Sequence, residues 1–323
     1  EGLAEWYRIT IYELVQVCRK AASKYTRSKV RHAIPPQFRF VIDELMHAKA
    51  DEDNNRVRYH EQILQSLIDT GSAADFIEGM TGLIKRLAVD RLHVLGDLFD
   101  RGAHPDLVLD LLEDYHHLDI QWGNHDVLWM GAAFGSQLCA ATAVRNNLRY
   151  GNLQLLENGY GINLRPLALF AERYYRDEPQ ASAMYKACSV IMLKLQGEVI
   201  LRNPDFAMRG RLLLSEIDYA RGVMRLPGAE YELATRELPT VDPAAPYQLS
   251  AQEREVAQSL SASFAGSPRL QRHVAFLLRN GSMYLRCNGN LLYHGCVPLN
   301  RDGSFARVLC DGQYLWGRAY LDC

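Results

Sequence analysis

The sequence predicts an α/β fold, a sheet core carrying a large helical insertion behind a helical lead-in. Two short apolar runs, Arg91 to Leu95 and Leu118 to Trp122, read as strands. Each ends in a polar, glycine-bearing cluster: Gly96-Asp97-Leu98-Phe99-Asp100-Arg101-Gly102 after the first, Gly123-Asn124-His125-Asp126 after the second. Between them, Pro105 to Tyr115 carries apolar residues at helical spacing, with proline in the first turn. Strand, helix, strand implies parallel neighbours joined by a right-handed crossover. Both polar clusters then lie at the carboxyl ends of adjacent strands, where open α/β sheets place their ligands. Positions 97 and 124 are 27 apart, the span of one βαβ unit.

Taken in order, residues 4–24 have a helical pattern (Trp6, Ile9, Ile11, Leu14, Val15, Cys18). The basic stretch KYTRSKVRH follows, and Pro35-Pro36 stops the helix. That stretch reads as a solvated helix end rather than a phosphate site. Helices are expected at 38–49, 56–70 and 74–87, separated by DEDNN and TGSAAD, with Ser72 as a cap near the last. Residues 1–88 are thus the helical lead-in, and 89–323 the core with a helical insertion at about 137–280. Val127 to Phe134 reads as a helix pressed on the sheet, with Trp129 and Met130 in the core. Residues 137–150, 164–175 and 179–196 look helical, and ENGYGIN reads as a glycine-broken loop. The region 198–246 loses periodicity, and PTVDPAAP reads as an extended linker. Helix returns over 249–279. Met283 to Arg286 and Leu291 to His294 then flank Asn288-Gly289, the strongest two-residue hairpin signal.

The 323 residues, 48% hydrophobic, suffice for a large core. Thirty-six Lys and Arg against 38 Asp and Glu leave a net charge of −2, so nothing calls for nucleic acid or a membrane surface. No apolar run approaches the ~18 residues of a membrane span. The seven cysteines (Cys18, Cys139, Cys188, Cys287, Cys296, Cys310, Cys323) are scattered without a C-x-x-C. They are read as reduced thiols in a cytoplasmic protein.

The polar clusters carry the chemistry. Asp97 offers a hard anionic oxygen and Asn124 a neutral carbonyl oxygen, both suited to Mg²⁺ or Mn²⁺. His125, next to that ligand, is placed as a general acid toward a leaving alkoxide. Asp100 is the natural orienter of its imidazole. Arg101 supplies a planar fork for a phosphoryl group.

GD-x-x-DRG followed by GNHD resembles the second and third signature blocks of calcineurin-like metallophosphoesterases. The resemblance implies that Asp97 bridges two metals and Asn124 binds one. It gives His125 the leaving-group proton, Asp100 the pairing with His125, and Arg101 the phosphate. His294, in Tyr293-His294-Gly295, matches a later metal ligand of that superfamily. Over nearly the whole chain, WYRITIYELVQVCRKAASKYTRSKVRHAIPPQF, VDRLHVLGDLFDRG, DIQWGNHDVLWMGAAFGS, ENGYGINLRPLA and NGNLLYHGCVPLN together resemble class III (Firmicutes-type) fructose-1,6-bisphosphatases. That resemblance implies a Mn²⁺-dependent, gluconeogenic hydrolase of the carbon-1 phosphate of a sugar bisphosphate. It implies a partial metallophosphoesterase sheet core with large helical insertions, and leaves homo-oligomer formation open.

The superfamily's first block, Asp-x-His, has no counterpart. The histidines upstream of Gly96 are His32, His47, His60 and His93, and none has an Asp two positions before it. No Gly-His block follows His294. Family members are about twice this long, so the chain is expected to be the middle of a longer protein. The alternatives are a related phosphatase acting on phosphoproteins or dinucleotides, and a non-catalytic remnant serving as an interaction subunit.

Overall fold

The computed structural model describes residues 2–47, 54–176, 179–234 and 237–323. The chain divides into two compact units, Glu1–Leu92 and His93–Cys323. Among the described residues the first holds five α-helices: α1 (Gly2–Ala22), α2 (Arg27–Ala33), α3 (Arg39–His47), α4 (Asn54–Asp69) and α5 (Ala73–Ala88). Their inward stripes close one core, in which Ile11, Cys18, Ile42, Phe76, Met80 and Leu83 are sealed from solvent. The basic stretch is a separate helix rather than the tail of α1. Thr26 caps α2 by accepting from the Lys29 amide, and Pro36 opens the 3₁₀ turn that follows it. Its cations are surface groups: Lys29 pairs with Asp90 at 2.8 Å and Arg27 with Asp43 at 3.8 Å. Ser72 does precede α5, but its side chain makes no capping bond. Residues 48–49 of the helix expected at 38–49 and 51–53 of DEDNN lie outside the described residues.

Strand β1 (Leu92–Val94) leads into the second unit, followed by α6 (Pro105–Glu113), β2 (Leu118–Gln121), α7 (Asn124–Ala133) and α8 (Gln137–Tyr150). Next come α9 (Arg165–Tyr174), α10 (Gln180–Arg202), β3 (Ile217–Asp218), β4 (Val223–Leu226), β5 (Ala229–Glu232), α11 (Ala251–Ala265) and α12 (Pro268–Asn280). The unit ends with β6 (Gly281–Ser282), β7 (Tyr284–Cys287), β8 (Asn290–Tyr293), β9 (Val308–Cys310), β10 (Gln313–Leu315) and α13 (Gly317–Asp322). The core sheet has the order β1-β2-β6, with Ile120 opposite Gly281 and Gln121 opposite Ser282 in parallel register. Two residues suffice for β6 because the Trp122 amide continues the ladder to the Ser282 carbonyl at 2.9 Å. The Trp122 indole also donates to the Leu277 carbonyl at the end of α12.

Three expectations need correction. ENGYGIN is not simply a loop: Leu155–Gly159 forms a π-helical turn, its Gly159 carbonyl taken by Arg269 at 3.0 Å. Region 198–246 is not featureless. Helix α10 runs on to Arg202, and β3-β4-β5 form an antiparallel meander whose last hairpin turns at Pro227-Gly228. PTVDPAAP is folded into turns rather than extended. The Asn288-Gly289 hairpin forms with both residues at positive φ (50° and 79°), joining Cys287 to Asn290. Cys310, at the end of β9, and Cys323, just past α13, are joined as a disulfide, against the expectation of seven reduced thiols. Burial pushes the Cys18 thiol up to about 11 and the Cys188 thiol to about 12, so neither is a nucleophile. Among the described residues no helix is long and apolar enough to cross a membrane.

Candidate active site

The loop after β1 is anchored by its apolar middle. Phe99 lies between the two aspartates of GDLFD and is sealed in the core, stacked on Trp129 of α7 with ring centroids 4.4 Å apart. Trp129 meets Tyr160 and Phe264 in turn, so a rigid aromatic block sits under the loop. With Phe99 pointing inward, Asp97 and Asp100 lie at the half-exposed surface.

The loop after β2 is brought against it by two glycines. A Cβ on Gly96 would stand 2.4 Å from the Gln121 carbonyl and the Gly123 nitrogen. One on Gly123 would stand 2.2 Å from Asp97 Oδ1. The chains at the two strand ends therefore touch in a way no other residue permits. Asp97 itself adopts φ = 53°, a left-handed conformation that costs a non-glycine residue about 1–2 kcal/mol.

Asp126 holds that conformation in place. Its buried carboxylate accepts from the Asp97 amide (2.8 Å), the Leu98 amide (2.9 Å) and the Gly123 amide (2.9 Å), bonding both loops at once. Burial pushes its carboxyl above the usual carboxylate range, and these N–H donors pull against that shift. Sequence reasoning quoted Asp126 without giving it a role. The available signal was its place three residues after the helix-opening Gly123, where an acid reaches back to the cap amide.

The site side chains converge above this latch. Helix α7 begins at Asn124, so its first free amides face the first loop. The His125 amide donates to Asp97 Oδ1 at 3.0 Å, where the positive end of the helix favours an anion. His125 Nε2 lies 3.2 Å from Asp100 Oδ1. Ligand atoms of Asp97, Asp100 and His125 all fall within 4.8 Å of one another. His294, just past β8, points back at the same carboxylate: Nε2 is 3.2 Å from Asp97 Oδ2, and Nδ1 is 2.5 Å from the Leu95 carbonyl. Asn124 is exposed at the helix start, its side-chain amide free of protein partners among the described residues. Arg101 is at the rim, 70% exposed, 3.6 Å from Asp100 and against the Tyr150 ring. The structure thus gathers Asp97, Asp100, His125 and His294 into one cluster, with Asn124 and Arg101 beside it.

These groups fit a divalent cation. Because His294 Nδ1–H donates to the Leu95 carbonyl, its Nε2 presents a lone pair to a carboxylate oxygen 3.2 Å away. Two acceptors in contact require positive charge between or upon them. The carboxylate and amide oxygens suit Mn²⁺ or Mg²⁺, and the imidazole suits a transition-metal ion.

A family model described as Firmicute fructose-1,6-bisphosphatase matches residues 1–323. The chain belongs to that family. Firmicute fructose-1,6-bisphosphatases named "class 3" are similar to it throughout. The protein of Listeria monocytogenes serovar 1/2a is 47% identical over all of this chain and 52% of its own length. Those of Alkaliphilus metalliredigens and Clostridium beijerinckii are 48% and 46% identical over all of this chain, and over 52% and 51% of their own lengths. The chain spans about half the length of the curated relatives it matches. No solved structure shows a significant match.

Proposed function

We propose that the protein containing this chain is a metal-dependent phosphomonoester hydrolase that converts fructose 1,6-bisphosphate to fructose 6-phosphate and phosphate, as the names of its relatives say of them. The observation that carries this reading is the convergence of three distant segments on Asp97, whose carboxylate receives the His125 amide and faces His294 Nε2. In this reading the β1-β2-β6 sheet with its two loops is half of a metallophosphoesterase core. The remaining ligands come from chain that the longer relatives possess. The protein works in the cytoplasm on a soluble sugar bisphosphate, needing neither nucleic acid nor membrane.

Asp97, Asn124 and His294 would hold Mn²⁺, with Mg²⁺ possible in its place. The ion supplies charge neutralisation for the phosphoryl oxygens. Arg101 binds two of those oxygens with its fork and stabilises them as charge develops. Asp100 accepts Nε2–H from His125 and fixes the ring, which leaves Nδ1 to carry a proton to the departing carbon-1 oxygen. Phe99, stacked on Trp129, anchors the loop that carries Asp97 and Asp100.

The test is phosphate release by the full-length protein with Mn²⁺, comparing fructose 1,6-bisphosphate with a phosphopeptide and a dinucleotide. The expected result is preferred hydrolysis of the bisphosphate, with fructose 6-phosphate as the sugar product. Preference for either other substrate overturns the assignment, and no hydrolysis of any of them moves the protein to a non-catalytic role.

A further inference from the structure

Arg101 is exposed at the rim of the cluster, yet it is gripped from outside by a segment that has no other part in the site. Just past the end of α8, Asn152 donates from Nδ2 to the Arg101 carbonyl at 3.1 Å. In the last turn of the same helix, the Tyr150 ring lies against the Arg101 guanidinium, 5.5 Å from ring centroid to Cζ. Backbone and head group of one arginine are thus held by residues two positions apart. The turn that presents them is itself fixed. Gly151 ends α8 at φ = 73°, and the Asn152 amide returns to the Asn147 carbonyl at 2.9 Å.

A second cation shares the ring. Arg149 Cζ is 5.9 Å from the Tyr150 centroid, exposed, and without an acidic partner among the described residues. No Asp or Glu occurs between Asp126 and Glu157, so nothing on α8 neutralises the pair. Arg101 has Asp100 at 3.6 Å, whereas Arg149 has no such acid beside it, so Arg149 is the cation left for a second anionic group. A merely structural Arg149, complementing the helix C-terminus, would owe nothing to the substrate.

We propose that the last turn of α8 is the substrate-selecting edge of the site: Tyr150 and Asn152 are positioning residues for Arg101, and Arg149 binds the second phosphoryl group of a bisphosphate. The second half of this proposal rests on the sugar-bisphosphate reading above; the first half holds for any phosphomonoester. Selection then follows from charge. A monophosphate engages Arg101 alone, whereas a bisphosphate engages both arginines.

The test uses the full-length protein with Mn²⁺ and two substrates, p-nitrophenyl phosphate and fructose 1,6-bisphosphate. Tyr150→Leu is expected to lower kcat/KM about two- to fivefold on both, the scale of a lost cation–π contact at an exposed site. Tyr150→Phe, which keeps the ring, restores it. Arg149→Gln is expected to lower the ratio of kcat/KM for the bisphosphate to that for p-nitrophenyl phosphate about tenfold, mainly through KM. Equal activity of the Leu and Phe variants overturns the positioning role. An unchanged ratio in Arg149→Gln overturns the second-phosphate role. If the unaltered protein cleaves p-nitrophenyl phosphate but not the bisphosphate, the sugar-bisphosphate reading and the role of Arg149 fall together, and the Leu–Phe contrast on p-nitrophenyl phosphate still decides the role of Tyr150.

Discussion

Asp126→Asn probes the latch with no change in side-chain volume, so no cavity term enters. In the native site Oδ2 accepts two amides, from Asp97 and Gly123, and Oδ1 accepts one from Leu98. The asparagine carbonyl keeps the pair at the Oδ2 position, and its NH₂ then faces the Leu98 N–H, donor against donor. Leaving that buried donor unmet costs about 1–3 kcal/mol. The two surviving bonds fall from charge-assisted to neutral, a loss of about 1 kcal/mol each. Burying a neutral amide in place of a carboxylate returns part of this, consistent with burial pushing the native carboxyl upward. The net expectation is a loss of about 2–4 kcal/mol in local stability. Asp97 is then freed to leave its left-handed conformation. Two measurements read this out: hydrogen exchange at the Asp97, Leu98 and Gly123 amides, and turnover with Mn²⁺. Protection should drop at all three amides, and turnover should drop with it. Unchanged protection, or protection lost with turnover intact, would refute the idea that Asp126 holds the site together.

Gly123→Ala should be severe, because the new Cβ meets Asp97 Oδ1 at 2.2 Å and backbone must move. A destabilisation of about 1–3 kcal/mol in thermal unfolding is expected, against less than about 0.5 for Gly102→Ala, where a Cβ meets nothing. His125→Ala and Asp97→Asn should each lower turnover roughly 10²-fold or more, and near-normal rates in both would remove their assignment. His294→Ala should weaken Mn²⁺ binding at least tenfold in a direct titration. His273 gives the pH dependence. It is buried on α12, between Tyr160 and Asp110, and desolvation is the main cause holding its pKa below the ordinary imidazole value of about 6.5. The unfolded chain therefore takes up the proton first, so this group's contribution to stability is complete above pH 6.5 and is lost as pH falls below it. The unfolding midpoint should decline on acidification from pH 7 to pH 5, and His273→Gln should flatten that decline.

What was legible in the sequence was local. The strand cores at 92–94 and 118–121 and the helix between them follow from apolar runs and one proline, and the Asn288-Gly289 turn follows from φ tolerance. What was not legible depends on distant partners. Strand β6 is Gly281-Ser282, two residues with no strand preference, and exists because β2 and Trp122 pair with it. The β4–β5 hairpin has every β5 residue exposed, so no apolar run announced it; the four-residue alternation Ala229-Glu230-Tyr231-Glu232 and the Pro227-Gly228 turn were its only cues. At the site, residue types alone suggested roles for Asp97, Asn124 and His125. Asp126, Tyr150 and Asn152 act by contacts that only the folded chain brings about.

The same long-range closure sets an order of events during synthesis. His294 bonds a carbonyl 199 positions earlier, and β2 waits for β6 across the whole of α7 to α12. At about 5–20 residues per second, roughly 10–30 s separate the emergence of Gly123 from that of His294. Through that interval the nascent chain carries an acidic, metal-attracting loop and an unpaired β2 edge. An N-terminal piece released early would therefore be an aggregation hazard and a poor, unselective metal binder at the same time.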